Sequence, residues 1–243
     1  IKKLKLLKQS KHRKVQNQFV AEGKRLVREA INCGDAVDLL FCTKTFYEKN
    51  KDDWQGFLEA GNTMIEIITD SQFKSISSTS TPSGIAALCN IPRSPYIDFK
   101  VREWIYLDRI RDPGNLGTIL RSASWFGFKN IILSSESVDP YNPKAIRSGM
   151  GSHFGLNLYQ SIKLKDFIKT HLIISGSTCG EDISNFKLPE RYVLVLGNEA
   201  HGISKNIEPL IQKSVSIKRL GEGESLNLSS AASILMYLLT KKK

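Results

Sequence analysis

Five short, almost wholly apolar runs recur through the second half of the chain: Trp104–Leu107, Ile131–Leu133, Leu172–Ile174, Tyr192–Leu196 and Val215–Ile217. Runs this short, without polar alternation, suit strands covered on both faces, as in a parallel sheet. Helix-like stretches separate or follow them: Pro113–Phe126, Pro143–Phe154, Leu164–Thr170, Ser204–Ile211 and Leu226–Thr240. Such alternation, sustained to the end of the chain, predicts a layered α/β domain.

The first half alternates too. Gln18–Glu22, Val37–Cys42, Met64–Ile68 and Gly84–Cys89 read as strands. Gly23–Cys33 and Thr45–Ala60 read as helices, the latter with Phe46, Trp54, Phe57 and Leu58 as apolar members. Thr69 and Asp70 can start a further short helix through Phe73. Then Ile91-Pro-Arg-Ser-Pro95 brings two prolines and no periodicity, as an extended connection would. The predicted organisation is a small α/β domain at 1–92, a linker at 93–102 and a larger α/β domain at 103–243.

Composition excludes several classes. With 41% hydrophobic and 24% charged residues the chain is globular rather than disordered. No apolar run approaches the roughly 18 residues of a membrane span. The lysine-rich start lacks the apolar stretch and cleavage site of a secretory signal. Cys33, Cys42, Cys89 and Cys179 are scattered, with no Cys-x-x-Cys pair, and read as small hydrophobes in a reducing cytoplasm. His12, His153, His171 and His201 show no metal-ligand spacing, so no metal is expected. There is no Gly-x-Gly-x-x-Gly, and Ile203 stands where a phosphate loop begun by Gly197 and Gly202 would need lysine. No Gly-x-Ser-x-Gly elbow is present.

The net charge of +11 is concentrated at the ends. Residues 1–21 hold Lys2, Lys3, Lys5, Lys8, Lys11, Arg13 and Lys14 with no acid, and the chain closes on Lys241, Lys242 and Lys243. Such segments either bind phosphate backbones in a salt-dependent way or are solvated tails.

Polar residues collect where strands give way to helices. In the segment Leu107–Arg121, Asp112 can cap a helix and Pro113 suits its first turn, while Asn115 and Arg121 fall on different faces. In Val193–Ser204 a buried strand runs into Gly197-Asn198-Glu199, where a ligand or a plain turn would both use glycine and asparagine. In Val215–Ala232 a glycine-rich loop precedes Ser225, which can cap the last helix. That helix carries Leu228, Ala231, Ala232, Leu235, Leu238 and Leu239 on one stripe, with Ile234 and Met236 elsewhere. Apolar residues on more than one face suit a helix with a core on one side and a subunit interface on the other.

Together these segments resemble the SpoU (TrmH-like) RNA 2′-O-ribose methyltransferases of the SPOUT superfamily. Asn115 through Arg121 matches their first motif, Gly197-Asn198-Glu199 the second, and Ser225-Leu226-Asn227-Leu228-Ser229 the third. The resemblance covers residues 103–240. The segments Lys11–Lys14 and Phe19–Ala30 resemble the family's optional substrate-binding domain.

The resemblance implies a parallel sheet with a deep trefoil knot near the C-terminus. It implies S-adenosylmethionine as cofactor, held in a bent form by Ser177, Thr178, Leu196, Gly197, Asn198, Ile217 and Leu226. Arg121 inherits action on the ribose hydroxyl, with Asn115, Glu199, Ser225 and Asn227 shaping the site. Lys11, Arg13, Lys14, Lys24 and Arg25 are expected on RNA, ribosomal rather than transfer RNA because the first domain is similar to that of ribosomal RNA enzymes. A homodimer is implied as well. Two other readings remain: a non-catalytic RNA-binding protein that kept the fold, and a related enzyme methylating a base nitrogen.

Overall fold

The computed structural model describes residues 1–34, 36–60 and 64–242, except the side chains of 52, 53 and 55–60. The expected apolar roles of Phe57 and Leu58, and the terminal charge of Lys243, lie outside the described residues. The chain forms two units, one of Ile1–Arg93 with Asp139–Phe154, the other of Ser94–Val138 with Gly155–Lys243.

The first unit begins with two short helices, α1 (Lys2–Leu6) and α2 (Ser10–Gln16). The basic start is therefore folded rather than a tail. Leu4 and Leu7, three residues apart, share one face and join a core with Phe41, Ile68, Phe73, Ile76, Ala86 and Leu88. Then come β1 (Gln18–Glu22), α3 (Lys24–Asn32), β2 (Val37–Thr43), α4 (Lys44–Ala60), β3 (Ile65–Ile68), α5 (Asp70–Ile76) and β4 (Ile85–Asn90). Thr69 opens α5 through a capping box with Gln72, each side chain meeting the other's backbone N–H. The sheet order is β1-β4-β2-β3, with β4 antiparallel to both neighbours and β2 parallel to β3.

Residues 139–154 follow the proline-rich connection in sequence, yet pack in this first unit. Three contacts explain that. Asp139 pairs with Arg13, and Tyr141 and Phe154 stack against Phe19 with ring centroids 4.9 and 5.9 Å away. The helix expected at Pro143–Phe154 stops at Gly149, because Met150 turns left-handed (φ 51°). A 3₁₀ turn over Ser152–Gly155 follows.

The second unit holds β5 (Glu103–Leu107), α6 (Pro113–Trp125) and β6 (Asn130–Leu133). The chain then passes through the first unit's helix, α7 (Pro143–Gly149), and returns as β7 (Asn157–Gln160), β8 (Leu172–Asp182), β9 (Tyr192–Leu196), β10 (Lys213–Ser216) and α8 (Leu228–Thr240). Sheet order is β10-β8-β9-β5-β6-β7, and every pairing is parallel. Trp104, Tyr106, Ile132, Phe167, Ile173, Val193 and Val195 form a core on it.

Three expected elements differ. Leu164–Thr170 is a 3₁₀ turn over Leu164–Phe167, and Ser204–Ile211 keeps only Glu208–Leu210, where Pro209 lacks the N–H a longer helix would use. The last helix is capped by Asn227, not Ser225: Asn227 Oδ1 accepts from Ser229 N and Ser230 N. Met236, expected off the main stripe, is buried with Ala232, Leu235 and Leu239. Among the cysteines only Cys42 and Cys89 act as buried hydrophobes, since Cys33 and Cys179 are exposed. Among the described residues no helix is long and apolar enough to cross a membrane.

Candidate active site

The carboxyl ends of the parallel strands carry the polar loops. Asp112 caps α6 by accepting from Asn115 N at 2.8 Å, and Pro113 occupies the first turn, where its missing N–H costs nothing. That cap sets Asn115 at the mouth of the sheet. Asn115 Nδ2 donates to Glu199 Oε1 at 2.7 Å, and Asn115 Oδ1 accepts from Asn227 Nδ2 at 3.2 Å. One side chain thus joins the loop after β9 to the first turn of α8, uniting all three sequence motifs.

Asn198 is buried and does a different job from Glu199. Its Nδ2 donates to Arg109 O at 2.9 Å, and its Oδ1 accepts from Ala200 N and His201 N. Asn198 and Gly202 exchange both backbone hydrogen bonds at 2.9 Å, closing a tight loop. Gly197 is required there: a Cβ at that position would lie 2.5 Å from Gly202 C and 2.6 Å from Ile203 N. Glu199, on the outside of this loop, is exposed.

Beside it, β10 changes register on β8. Ser214 pairs with Ser175, but Val215 pairs with Glu181, so Gly176–Gly180 is passed over in one step of β10. A Cβ at Gly176 would meet Leu235 Cδ1 at 2.7 Å, and one at Gly180 would meet Ser214 backbone at 2.5 Å. Ser177 and Thr178 lie exposed in the passed-over segment. Leu196 is buried at the end of β9, Ile217 half-buried just past β10, and Leu226 exposed before α8.

These positions fit an adenosyl cofactor in two respects. The glycines at 176, 180 and 197 put no side chain of their own on the strand ends, and Ser177 and Thr178 are exposed between two of them, so backbone groups there can read a purine edge. No phosphate-binding glycine loop is needed, since S-adenosylmethionine has no phosphate.

Not every expected site residue joins the cluster. Arg121 is exposed on α6 and makes no hydrogen bond or ion pair among the described residues. Six residues beyond Asn115, it is turned to another face of the helix. Ser225 is exposed and also lies outside the cluster. Of the five cations expected on RNA, Lys11, Lys14, Lys24 and Arg25 are exposed. Lys24 is partly engaged, donating to Asn50 Oδ1 and lying 5.5 Å from the Phe46 ring centre.

Arg13 corrects the sequence reading. It is 2% exposed, and its guanidinium donates to Asp139 Oδ2, to Leu7 O at 2.7 Å and to Lys8 O at 2.9 Å. With its donors spent inside the protein, it has nothing to offer a phosphate. Sequence reasoning missed Asp108 and Arg109, which hold the loop after β9; buried acids carry no spacing signal of their own.

Fold and site together define an α/β methyltransferase of the SPOUT type. The family model for the SpoU rRNA methylase family matches residues 103–237, and that for an MRM3-like substrate binding domain matches residues 1–87. The chain belongs to the SpoU rRNA methylase family. It is similar to the 23S rRNA (guanosine(2553)-2′-O)-methyltransferase RlmP of Bacillus subtilis, 29% identical over 98% of this chain and 95% of that protein. Among solved structures, an AdoMet-bound rRNA methyltransferase from Sinorhizobium meliloti is 26% identical, with a TM-score of 0.82 over 99% of this chain and 93% of that one. A TrmH-family RNA methyltransferase structure from Porphyromonas gingivalis is 28% identical, with a TM-score of 0.84 over 100% and 97% of the two chains.

Proposed function

We propose that this protein methylates a ribose 2′-hydroxyl of ribosomal RNA, with S-adenosylmethionine as methyl donor. The observation that carries the reading is the Glu199–Asn115–Asn227 chain of hydrogen bonds, which gathers the family's three motifs at the strand ends. The ribosomal target rests on relatives such as the Bacillus subtilis enzyme and on the first unit's match to a substrate binding domain.

Ser177, Thr178, Leu196, Gly197, Asn198, Ile217 and Leu226 would hold the cofactor, whose sulfonium supplies an already activated methyl group. The protein's own work is then to align the hydroxyl and stabilise the charge it develops. Arginine, with a pKa above about 12, is a poor base. Arg121 therefore stabilises the developing alkoxide, and a phosphate of the RNA takes the proton. Asn115, Glu199 and Asn227 fix the loops around the sugar, and Ser225 borders it.

Lys11, Lys14, Lys24 and Arg25 contact the RNA backbone. The half-exposed Ile234 and Tyr237 of α8, with Trp125 at the end of α6 84% exposed, suit a homodimer interface. A knotted C-terminal half and a cytoplasmic location belong to the same proposal.

Labelled S-adenosylmethionine, ribosomal RNA and the purified protein test this. Digestion and mass spectrometry should reveal a 2′-O-methylnucleoside. A base-methylated nucleoside, or binding of RNA without methyl transfer, would overturn the reading.

A further inference from the structure

Both ends of the loop that carries Glu199 are tied to one dipeptide, Asp108-Arg109, just past the carboxyl end of β5. Asp108 N donates to Leu196 O at 2.9 Å, extending the ladder between β5 and β9 by one bond. Asp108 Oδ2 accepts from Ser204 N at 2.7 Å, where the loop ends. Arg109 O accepts from Asn198 Nδ2 at 2.9 Å, where the loop begins.

The dipeptide is itself held in place. Arg109 adopts a left-handed conformation (φ 53°), uncommon for a residue with a side chain. Its N–H donates to Ser134 Oγ at 2.8 Å, which fixes that turn against the end of β6. Asp108 is 2% exposed. Its charge is met by the Ser204 N–H and by Arg109 Nε at 3.7 Å, and a buried carboxylate persists only where it is so compensated.

Among the described residues the one hydrogen bond of the Asp108 side chain is spent on the loop. We infer that Asp108 is a positioning residue for the methyl transfer. Its carboxylate pins the exit of the loop after β9 while the Arg109 carbonyl pins the entrance. Glu199 is thereby kept within reach of Asn115, and Gly197 keeps its tight backbone approach. The inference rests on the cofactor and ribose site proposed above.

Asp108→Ala and Asp108→Asn separate positioning from bulk stability. The asparagine carbonyl still accepts from Ser204 N, whereas alanine leaves that N–H without its partner. Asp108→Ala should slow single-turnover methylation about 30-fold, as loss of a charged hydrogen bond at a site implies, with KM for RNA within about twofold. Asp108→Asn should restore the rate to within about fivefold of the parent, since only the charge is lost. Amide exchange gives a readout free of catalysis: the Ser204 amide should exchange at least about tenfold faster in Asp108→Ala, with the amides of β9 unchanged.

An Asp108→Ala protein with full rate and unchanged Ser204 exchange overturns the inference. So does an Asp108→Asn protein that is more than about tenfold slowed, and this variant carries the test alone if the alanine protein does not fold. A parent protein that transfers no methyl group would defeat the proposed function instead, and the exchange comparison would still decide the clamp.

Discussion

Asn115 Nδ2 donates to Glu199 Oε1 across 2.7 Å, which ties the first turn of α6 to the loop after β9. A side chain that donates on one side and accepts on the other is what that position needs, because Asn115 also receives the amide of Asn227 on its oxygen. Asn115→Asp keeps the size and the oxygen but sets a carboxylate against Glu199. Methylation should fall about 10- to 100-fold, the worth of a charged hydrogen bond turned to repulsion. Asn115→Ala should fall less, since it removes the bond without adding the repulsion. Single-turnover rates of the two variants check the order; a faster aspartate variant would show that the bond is incidental.

Arg121 stands apart from that cluster, exposed and without a partner among the described residues. A residue kept free in this way has its guanidinium available to substrate. Arg121→Ala should reduce single-turnover methylation by about 100-fold or more, the usual effect of removing a group that stabilises developing negative charge. S-adenosylmethionine binding, measured by calorimetry, should not change. Arg121→Lys should recover only a small part, because a point charge lacks the planar fork. Near-normal turnover in the alanine variant would remove Arg121 from the chemistry.

The strand ends were legible because buried parallel strands write continuous apolar runs. The apolar run alone bounds Tyr192–Leu196, and Trp104–Leu107 to within one residue. The edge strand Asn157-Leu-Tyr-Gln160 was not, since polar residues flank its two apolar ones. The length of β8 was equally hidden. Its first residues are apolar, but Gly176–Asp182 extends the strand on polar and small residues, of which only Glu181 and Asp182 pair with β10. Of the site, Asn115, Glu199 and Asn227 could be placed from motif order. The anchoring Asp108 could not, because one acid before a helix cap looks like any other. Arg13 shows the opposite failure: charge in a basic run reads as surface until a distant acid, Asp139, claims it.

That ion pair predicts a contrast within one helix. Arg13 and Asp139 are nearly buried, with Arg13 Nε 2.8 Å from Asp139 Oδ2. Among the described residues, Arg13→Ala leaves Asp139 with Ser10 Oγ and Tyr141 N as its donors. It should destabilise the first unit by about 3–5 kcal/mol, the cost of breaking a buried pair from one side. Lys14→Ala, one residue along and exposed, should change stability by less than about 0.5 kcal/mol. It should instead lower the salt dependence of RNA binding by about one counterion. Denaturant titration of both variants, beside RNA binding at several salt concentrations, separates the roles. Equal stability of the two would mean that the pair contributes nothing to the fold.

His153 sets a pH dependence on the same unit. It is fully buried, with Nε2 2.8 Å from the Pro140 carbonyl and Nδ1 without a hydrogen bond among the described residues. Burial lowers its pKa from 6.5 to about 4, against smaller raising effects of the Pro140 carbonyl and Asp139. Between those two values the unfolded chain binds a proton that the folded chain refuses. Stability from the neutral imidazole is therefore complete above about pH 6.5 and is lost as pH falls toward about 4, at up to about 1.4 kcal/mol per unit. His171, in the second unit, is lowered by burial too and acts in the same direction, so the readout must be local. Exchange of the β1 amides, Gln18–Glu22, serves that purpose. Their protection should fall as pH drops from 7 to 5, after correction for intrinsic exchange rates. In His153→Gln, which keeps a donor for Pro140 but cannot titrate, protection should be lower at pH 7 and nearly flat across that range. An unchanged slope in the glutamine variant would assign the acid sensitivity to another group.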